Sequence, residues 1–269
     1  MRVQVLTSVM HHPAQDNEVL QIAEKMHLDS DAIIINQSDC TGENRISFKD
    51  NTIVMYSFPE RGVGRSRNEA ILRADSDICL FSDEDIVYEE GYAEAIAAEF
   101  ERNSKADMIL FNIAVEESRK TYEITSRKRV HWYNNGRYGA VSFAVRCNSL
   151  LASGVTFSLL FGGGARFSNG EDSLFLKEFM QKGFRVYTAP VQIGREVKED
   201  GESTWFDGYH RKFFYDRGVL YHYLYGCMAL PFALRFLLVR RKRILGECSI
   251  PQAFRWMREG VRDAWKKVL

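Results

Sequence analysis

Short apolar runs alternate with stretches of helical spacing through the first two thirds of the chain. The runs "VQVLTSV" (3–9), "AIIIN" (32–36), "TIVMYS" (52–57) and "ICLFS" (78–82) read as strands, and segments near 16–27, 64–74 and 90–103 read as helices. This alternation predicts an α/β fold with a mostly parallel central sheet flanked on both faces by helices. Ligands in such sheets lie outside the carboxyl ends of the strands, so chemistry is expected in the residues that follow each run: Ser8 to His12, Asn36 to Asp39 and Ser82 to Asp85. Farther on, "MILFNIAV" (108–115) leads into a polar stretch bearing Lys120, Arg127, Lys128 and Arg129, and "AVSFAVR" (140–146) reads as another strand. In "FGGGARFSNGEDSLFLKEFMQKG" (161–183) a glycine triplet opens a loop, and Glu171 and Asp172 begin a helix.

The composition fits one soluble catalytic domain with an appendage. With 269 residues and 45% hydrophobic side chains, the chain can bury a single large core. Its five cysteines have no CxxC spacing and an odd count, which speaks against a disulfide framework or a structural zinc site and for a reducing cytoplasm. The N-terminus runs straight into "VQVLTSV" and reads as a first strand rather than a signal peptide. A net charge of zero hides an asymmetry, because residues 218–269 hold ten Lys and Arg against three Asp and Glu. The expected division is therefore a catalytic domain over 1–217 and a basic helical tail over 218–269. No nucleic-acid partner is expected.

Three Asp-x-Asp pairs occur: Asp29/Asp31, Asp75/Asp77 and Asp83/Asp85. The first two precede their strands and read as solvated turn acids. Only Asp83/Asp85 follows a strand, where a carboxylate pair either holds a divalent cation or a ribose, or begins an acidic helical turn. Glu171-Asp172 likewise reads either as a capped helix start or as a base that takes the proton of an attacking hydroxyl.

The stretch "GVGRSRNEAILRADSDICLFSDEDIVYEEGY" (62–92) resembles the nucleotide-sugar half of family 2 glycosyltransferases, and "FGGGARFSNGEDSLFLKEFMQKGFRVYTAP" (161–190) resembles their acceptor half. "ESTWFDGYHRKFFYDRGVLY" (202–221) is similar to the segment that follows, so the resemblance spans roughly residues 3–221. It implies the GT-A fold and an inverting, metal-dependent transfer from a nucleotide-sugar, a UDP-sugar being expected. By the resemblance Asp85 would coordinate Mn²⁺ or Mg²⁺, Asp83 would contact the ribose or the metal and its waters, Asp172 would be the base, and Glu171 would orient the acceptor. Thr7, Ser8, Asn36, Gln37, Asp39, Arg65, Arg67, Asn68, Asp83 and Glu84 would border the donor, with Arg67 and Asn68 reaching its diphosphate or base edge. Two departures stand out. Asn36-Gln37-Ser38-Asp39 replaces the usual acidic motif, and no His follows the "AP" strand, so Glu196 or another group would substitute, or the diphosphate and water would complete the metal shell. His210 is a distant substitute with a surface or packing role as its alternative, and His11 and His12 read as solvated loop residues or a border of the base pocket.

The tail "GVLYHYLYGCMALPFALRFLLVRRKRILG" is apolar but interrupted by His222, Pro231 and Arg235, and it reaches Arg240-Arg241-Lys242-Arg243. A mid-span Arg is costly in a bilayer, so an interfacial segment on an anionic membrane is expected, at the inner face of the plasma membrane. The alternative is packing against the catalytic domain or within a homodimer. A membrane-facing tail makes a lipid-linked saccharide of a cell-surface polysaccharide pathway the expected acceptor. Two other classes compete. A sugar-nucleotide nucleotidyltransferase would carry a Gly-rich phosphate loop after its first strand, where "TSVMHHPAQD" stands, and a non-catalytic membrane-associated nucleotide-sugar-binding protein would not need Asp83, Asp85 and Asp172.

Overall fold

A computed structural model describes residues 1–116, 122–197 and 208–266. Its strands are β1 (Val3–Met10), β2 (Asp31–Gln37), β3 (Gly42–Phe48), β4 (Asn51–Phe58), β5 (Ile78–Asp83), β6 (Ile86–Tyr88), β7 (Met108–Ala114), β8 (Phe143–Arg146) and β9 (Val186–Glu196). They form one sheet in the order β3-β4-β2-β1-β5-β8-β7-β9-β6. The block β4-β2-β1-β5 is parallel, as the apolar runs predict, and β7 and β9 are also parallel. Strands β3, β8 and β6 join antiparallel. Strand β3 has no apolar run to announce it, because it is an edge strand that alternates between half-buried and exposed positions. Its hairpin to β4 turns at Lys49 and Asp50, both with positive φ (49° and 65°), the geometry that matches strand twist. The run 140–146 is a strand only from Phe143; Ala140–Ser142 is a 3-10 turn.

Helices α1 (Asp16–Lys25), α2 (Val63–Ile71), α3 (Tyr92–Arg102), α4 (Cys147–Ser153) and α5 (Glu171–Gln181) cover the sheet. On one face Val19 and Ile22 of α1 and Ile96 and Phe100 of α3 pack on β1, β2 and β5. On the other, Ala70 and Ile71 of α2, Leu150 of α4 and Phe175, Leu176 and Phe179 of α5 do the same. Each such side chain contributes about 1.5–3 kcal/mol on burial, so the two layers fix the strand ends firmly.

Helices α6 (Arg211–Tyr225), α7 (Ala229–Val239), α8 (Arg241–Ile244) and α9 (Ile250–Trp265) build a third core with Phe161 and Phe167 of the loop before α5. The boundary expected at 217 falls within α6. Helices α6 and α9 touch backbone to backbone: a Cβ added at Gly218 would stand 2.1 Å from the Met257 carbonyl oxygen, and one at Gly260 would stand 2.2 Å from that of Tyr215. The stretch Arg211–Val239 is long and apolar enough to cross a membrane by length and composition. The break in the apolar stretch is the 3-10 turn Gly226–Met228 rather than Pro231, which lies in the first turn of α7, where a missing N–H costs little. His222 lies against Trp265, with ring centroids 4.8 Å apart, and His210 caps α6 by accepting from the Phe213 N–H at 3.3 Å. Lys120 and residues 202–207 of the resemblance lie outside the described residues.

Candidate active site

Strands β1, β2, β4 and β5 end at one edge of the sheet, and α2 and α5 both start there. The Val63 N–H donates to the Gly163 carbonyl at 3.1 Å, tying the start of α2 to the glycine loop before α5. That loop lies directly on Glu171. At Gly162 φ is +106°, and an added Cβ would meet the Glu171 carboxyl carbon at 2.8 Å and Val63 at 3.0 Å, so only glycine fits.

One guanidinium organises the acids. Arg67, one turn into α2 and only 4% exposed, donates to Asp83 Oδ1 at 2.9 Å and to Asp172 Oδ1 at 2.8 Å, and it approaches Glu171 Oε1 at 3.4 Å. The Phe157 ring lies 5.2 Å from its guanidinium carbon. Burial opposes the charge on Arg67, but Asp83, Asp172 and Glu171 together outweigh it and hold the guanidinium charged. One cation among three acids leaves surplus negative charge. Glu171 is therefore pushed up to about 7, first by burial and then by Asp172, with Arg67 opposing. Burial also raises Asp172, again against Arg67. Asp172 keeps a quarter of its side chain accessible while Glu171 is buried, so Asp172 is the acid a substrate can reach. Arg67, expected to reach a diphosphate, thus meets protein carboxylates with both of its terminal nitrogens.

Beside this cluster the 83–85 turn links β5 to β6. Ladder pairing of β6 with β9 puts Ile86 opposite Glu196, which brings the Glu196 carboxyl near enough to Asp85 to oppose its ionisation. Burial first, then Asp83 and Glu196, raise Asp85 to about 7. An all-oxygen, electron-rich donor set of this kind suits a hard divalent cation such as Mg²⁺ or Mn²⁺, which would relieve the repulsion. Among the described residues no three His, Cys, Asp or Glu side chains are grouped closely enough to hold a metal ion by themselves. Asp75 and Asp77, by contrast, accept from Gln4 Nε2 (2.9 Å) and the Arg2 N–H (2.7 Å) at the far end of the sheet.

The remaining expected donor residues divide into scaffold and rim. Asn36 is fully buried; its amide donates to the His12 carbonyl (2.8 Å) and to Ser57 Oγ (3.0 Å), so it fastens the loop after β1. Gln37 Oε1 accepts from the Gly62 N–H at 2.6 Å, and Asn68 clips the Phe157 backbone through its N–H (2.7 Å) and carbonyl (2.9 Å). Ser8 Oγ accepts from Ser66 Oγ at 2.8 Å, and Thr7 Oγ1 is buried without a hydrogen-bond partner among the described residues. On the rim Asp39 pairs with Arg61 at 2.9 Å, Arg61 contacts His11, and Arg65 pairs with Glu60 at 2.8 Å.

His12 is neither solvated nor idle. Its ring bridges Glu84 (2.8 Å) and Glu18 (2.5 Å), linking α1 to the acidic turn. The hydrogen bond to Glu84, aided by Glu18 and opposed by burial, raises it to about 9. Burial would raise Glu84, but the His12 hydrogen bond holds it below its ordinary value.

Comparisons with known proteins give the family and the fold. The pattern defining the family described as glycosyl transferase family 2 matches residues 20–161, ending before Glu171. Among solved structures, residues 1–349 of TarS from S. aureus in complex with UDP-GlcNAc superpose with a TM-score of 0.61 at 14% identity, over 90% of this chain and 73% of that one. The same fragment in complex with UDP gives 0.59 at 12% identity, over 90% and 72%. Against the longer TarS chain the value is 0.58 at 13% identity, over 89% of this chain and 43% of that one. At these identities the likeness establishes the shared fold. A comparison with curated proteins returns no match.

Proposed function

Since the chain belongs to glycosyl transferase family 2 and is a glycosyltransferase of GT-A fold, we propose that it transfers a sugar with inversion from a UDP-sugar to a saccharide hydroxyl, Asp172 serving as the base. The observation that carries this reading is the bridge made by Arg67, which holds Asp83 at a strand's carboxyl end and Asp172 at a helix start within one guanidinium's reach. The relatives' binding of UDP-GlcNAc and UDP supports the nucleotide.

Each residue then has a physical task. Asp172 Oδ1 is fixed by Arg67, which leaves the other oxygen to accept the acceptor's proton, and a carboxylate raised above its ordinary value is a stronger base near neutral pH. Glu171, buried and partly neutral, holds the glycine loop through the Gly170 N–H at 3.0 Å. Arg67 positions both acids rather than touching the donor. Asp85, with Asp83 and Glu196 beside it, would hold Mn²⁺ or Mg²⁺, whose contribution when bound is to neutralise charge on the leaving diphosphate. Ser8, Asp39 and Arg65 would border the nucleotide, while the buried Thr7, Asn36 and Gln37, together with Asn68, would support that border from behind.

The acceptor is read as lipid-linked. Helix α7 buries Ala229, Ala233 and Leu237 and leaves Leu234, Leu238 and Val239 exposed beside Arg240-Arg241-Lys242-Arg243, a surface suited to anionic headgroups. A second copy of the chain is the competing occupant of that face, and sedimentation with and without vesicles separates the two. Thermal-shift screening of UDP-, GDP- and dTDP-sugars with Mn²⁺ tests the donor: selective protection by a UDP-sugar is expected, and protection by none would refute the assignment.

A further inference from the structure

The excursion between β7 and β8 carries chemistry that neither donor nor base uses. Its described part is anchored at both ends. The Asn112 side chain clips Ile124 (2.9 Å to its carbonyl and 2.9 Å from its N–H), and residues 128–130 run beside β9 through Thr188 N–H to Lys128 O (2.9 Å) and Val130 N–H to Val186 O (2.8 Å). The chain then returns to Gly139, where an added Cβ would stand 3.7 Å from Asp172 Oδ2. Tyr122 reaches back to this return, where Ser142 Oγ donates to the Gly139 carbonyl at 2.7 Å.

Between these anchors lies a cavity of about 590 Å³, lined among others by Tyr122, Tyr133, Tyr138, Lys128, Arg129 and Arg137. That volume is in the range of sites that hold small molecules, about 300–1,000 Å³. Tyr122 and Tyr138 meet edge to face at 5.1 Å, giving a rigid aromatic corner against which a sugar ring can rest. The charges are unbalanced. Lys128, Arg129 and Arg137 form no ion pair among the described residues, whereas the adjacent Arg127 is fully engaged by Glu99 at 2.8 and 2.5 Å. Glu123 is the single acid in the lining, so the wall is net basic within a chain of zero net charge. Like charges gathered around a cavity repel one another and gain most from an anion that accepts several charge-assisted hydrogen bonds at once.

We propose that this cavity receives the acceptor and that the acceptor is an anionic saccharide, its phosphate or carboxylate groups on Lys128, Arg129 and Arg137 and its reacting hydroxyl at Asp172. The proposal rests on the reading of Asp172 as the base. Both anions present the same chemistry, and the probes separate them: galactose 6-phosphate and galacturonate, each against galactose, in ligand-observed NMR titration of the full chain. One or both anionic sugars should bind at least about tenfold more tightly than galactose, as expected for a single charged hydrogen bond. In the triple variant K128Q/R129Q/R137Q that preference should vanish, and in the charge-keeping K128R/R129K/R137K it should persist. Equal binding of charged and neutral sugars by the parent, or an undiminished preference in the glutamine variant, overturns the proposal. Protection by UDP-GlcNAc with Mn²⁺ is measured alongside. If anionic sugars bind through these residues but no nucleotide-sugar does, the glycosyltransferase reading of the cleft fails and the cavity stands as an anion site. Donor binding with no preference for anions does the opposite: the cleft keeps its role and the anionic acceptor is refuted.

Discussion

Replacing Arg67 by Met separates two roles for this residue that lead to opposite results. The side chain is 4% exposed, and it is the only cation within reach of Asp83, Glu171 and Asp172 among the described ion pairs. Removing one partner of a buried ionic cluster destabilises by about 3–5 kcal/mol, because the charges left behind are no longer compensated. Glu171 and Asp172, already raised by burial, then rise further above their ordinary values. An acid whose folded-state pKa is raised loses stability as pH climbs from the ordinary value through the folded one, so the deficit should be largest above pH 7, where Glu171 at about 7 already sits in the parent. Urea unfolding followed by tryptophan fluorescence at pH 8 should show the full deficit, and at pH 5.5 a deficit smaller by about 1–2 kcal/mol. If Arg67 were a diphosphate ligand instead, the variant would lose donor affinity while its stability stayed within about 1 kcal/mol of the parent at both pH values, and that outcome would refute the hub.

Three further outcomes follow from the same geometry. His12→Gln should cost about 1–2 kcal/mol at pH 6 and almost nothing at pH 10: a group raised to about 9 contributes stability fully present below about pH 6.5 and lost as pH rises through 9. Paired thermal or urea melts across that range check it, and a pH-independent difference would count against the ion pairs. Asp172→Asn should lower kcat at least about a hundredfold with donor affinity nearly unchanged, and titration calorimetry beside kinetics tells this from a donor ligand, whose loss would weaken binding instead. Gln at Arg240, Arg241, Lys242 and Arg243 should release the protein from phosphatidylserine vesicles in co-sedimentation, each charge being worth about 1 kcal/mol; equal, salt-insensitive pelleting of both proteins would assign binding to apolar contact alone.

The sequence revealed what local pattern encodes and concealed what distant pairing creates. Strands β1, β2, β4 and β5 are legible because parallel strands buried on both faces must be nearly continuous apolar runs, and with them came the position of Asp83 and Asp85. Strand β3 escaped because an edge strand needs only one apolar face. The burial of Arg67 did leave a trace: Val63, Arg67, Ala70 and Ile71 fall on one helical stripe, so a charge stood on the inward face of α2 and required buried partners. The identity of those partners was not readable, since Asp172 reaches α2 only through the fold. Glu196 was named only as one way to replace a missing His; the β6·β9 ladder brings it beside Asp85. His12 looked like a loop residue because neither Glu18 nor Glu84 is adjacent in the chain, although each lies on an element that packs around the end of β1.

In the proposed reaction Asp85, in the turn after β5, would hold the ion beside a nucleotide-sugar's leaving diphosphate. Asp85→Asn tests it, because a carboxylate pushed up to about 7 by burial and by its acidic neighbours supports site chemistry rather than the fold, so the variant should unfold no earlier than the parent. UDP release from UDP-GlcNAc is then measured with Mn²⁺ and with EDTA. The expected result is Mn²⁺-dependent release by the parent and none by the folded variant; release at the parental rate from Asp85→Asn, or from the parent in EDTA, would contradict it.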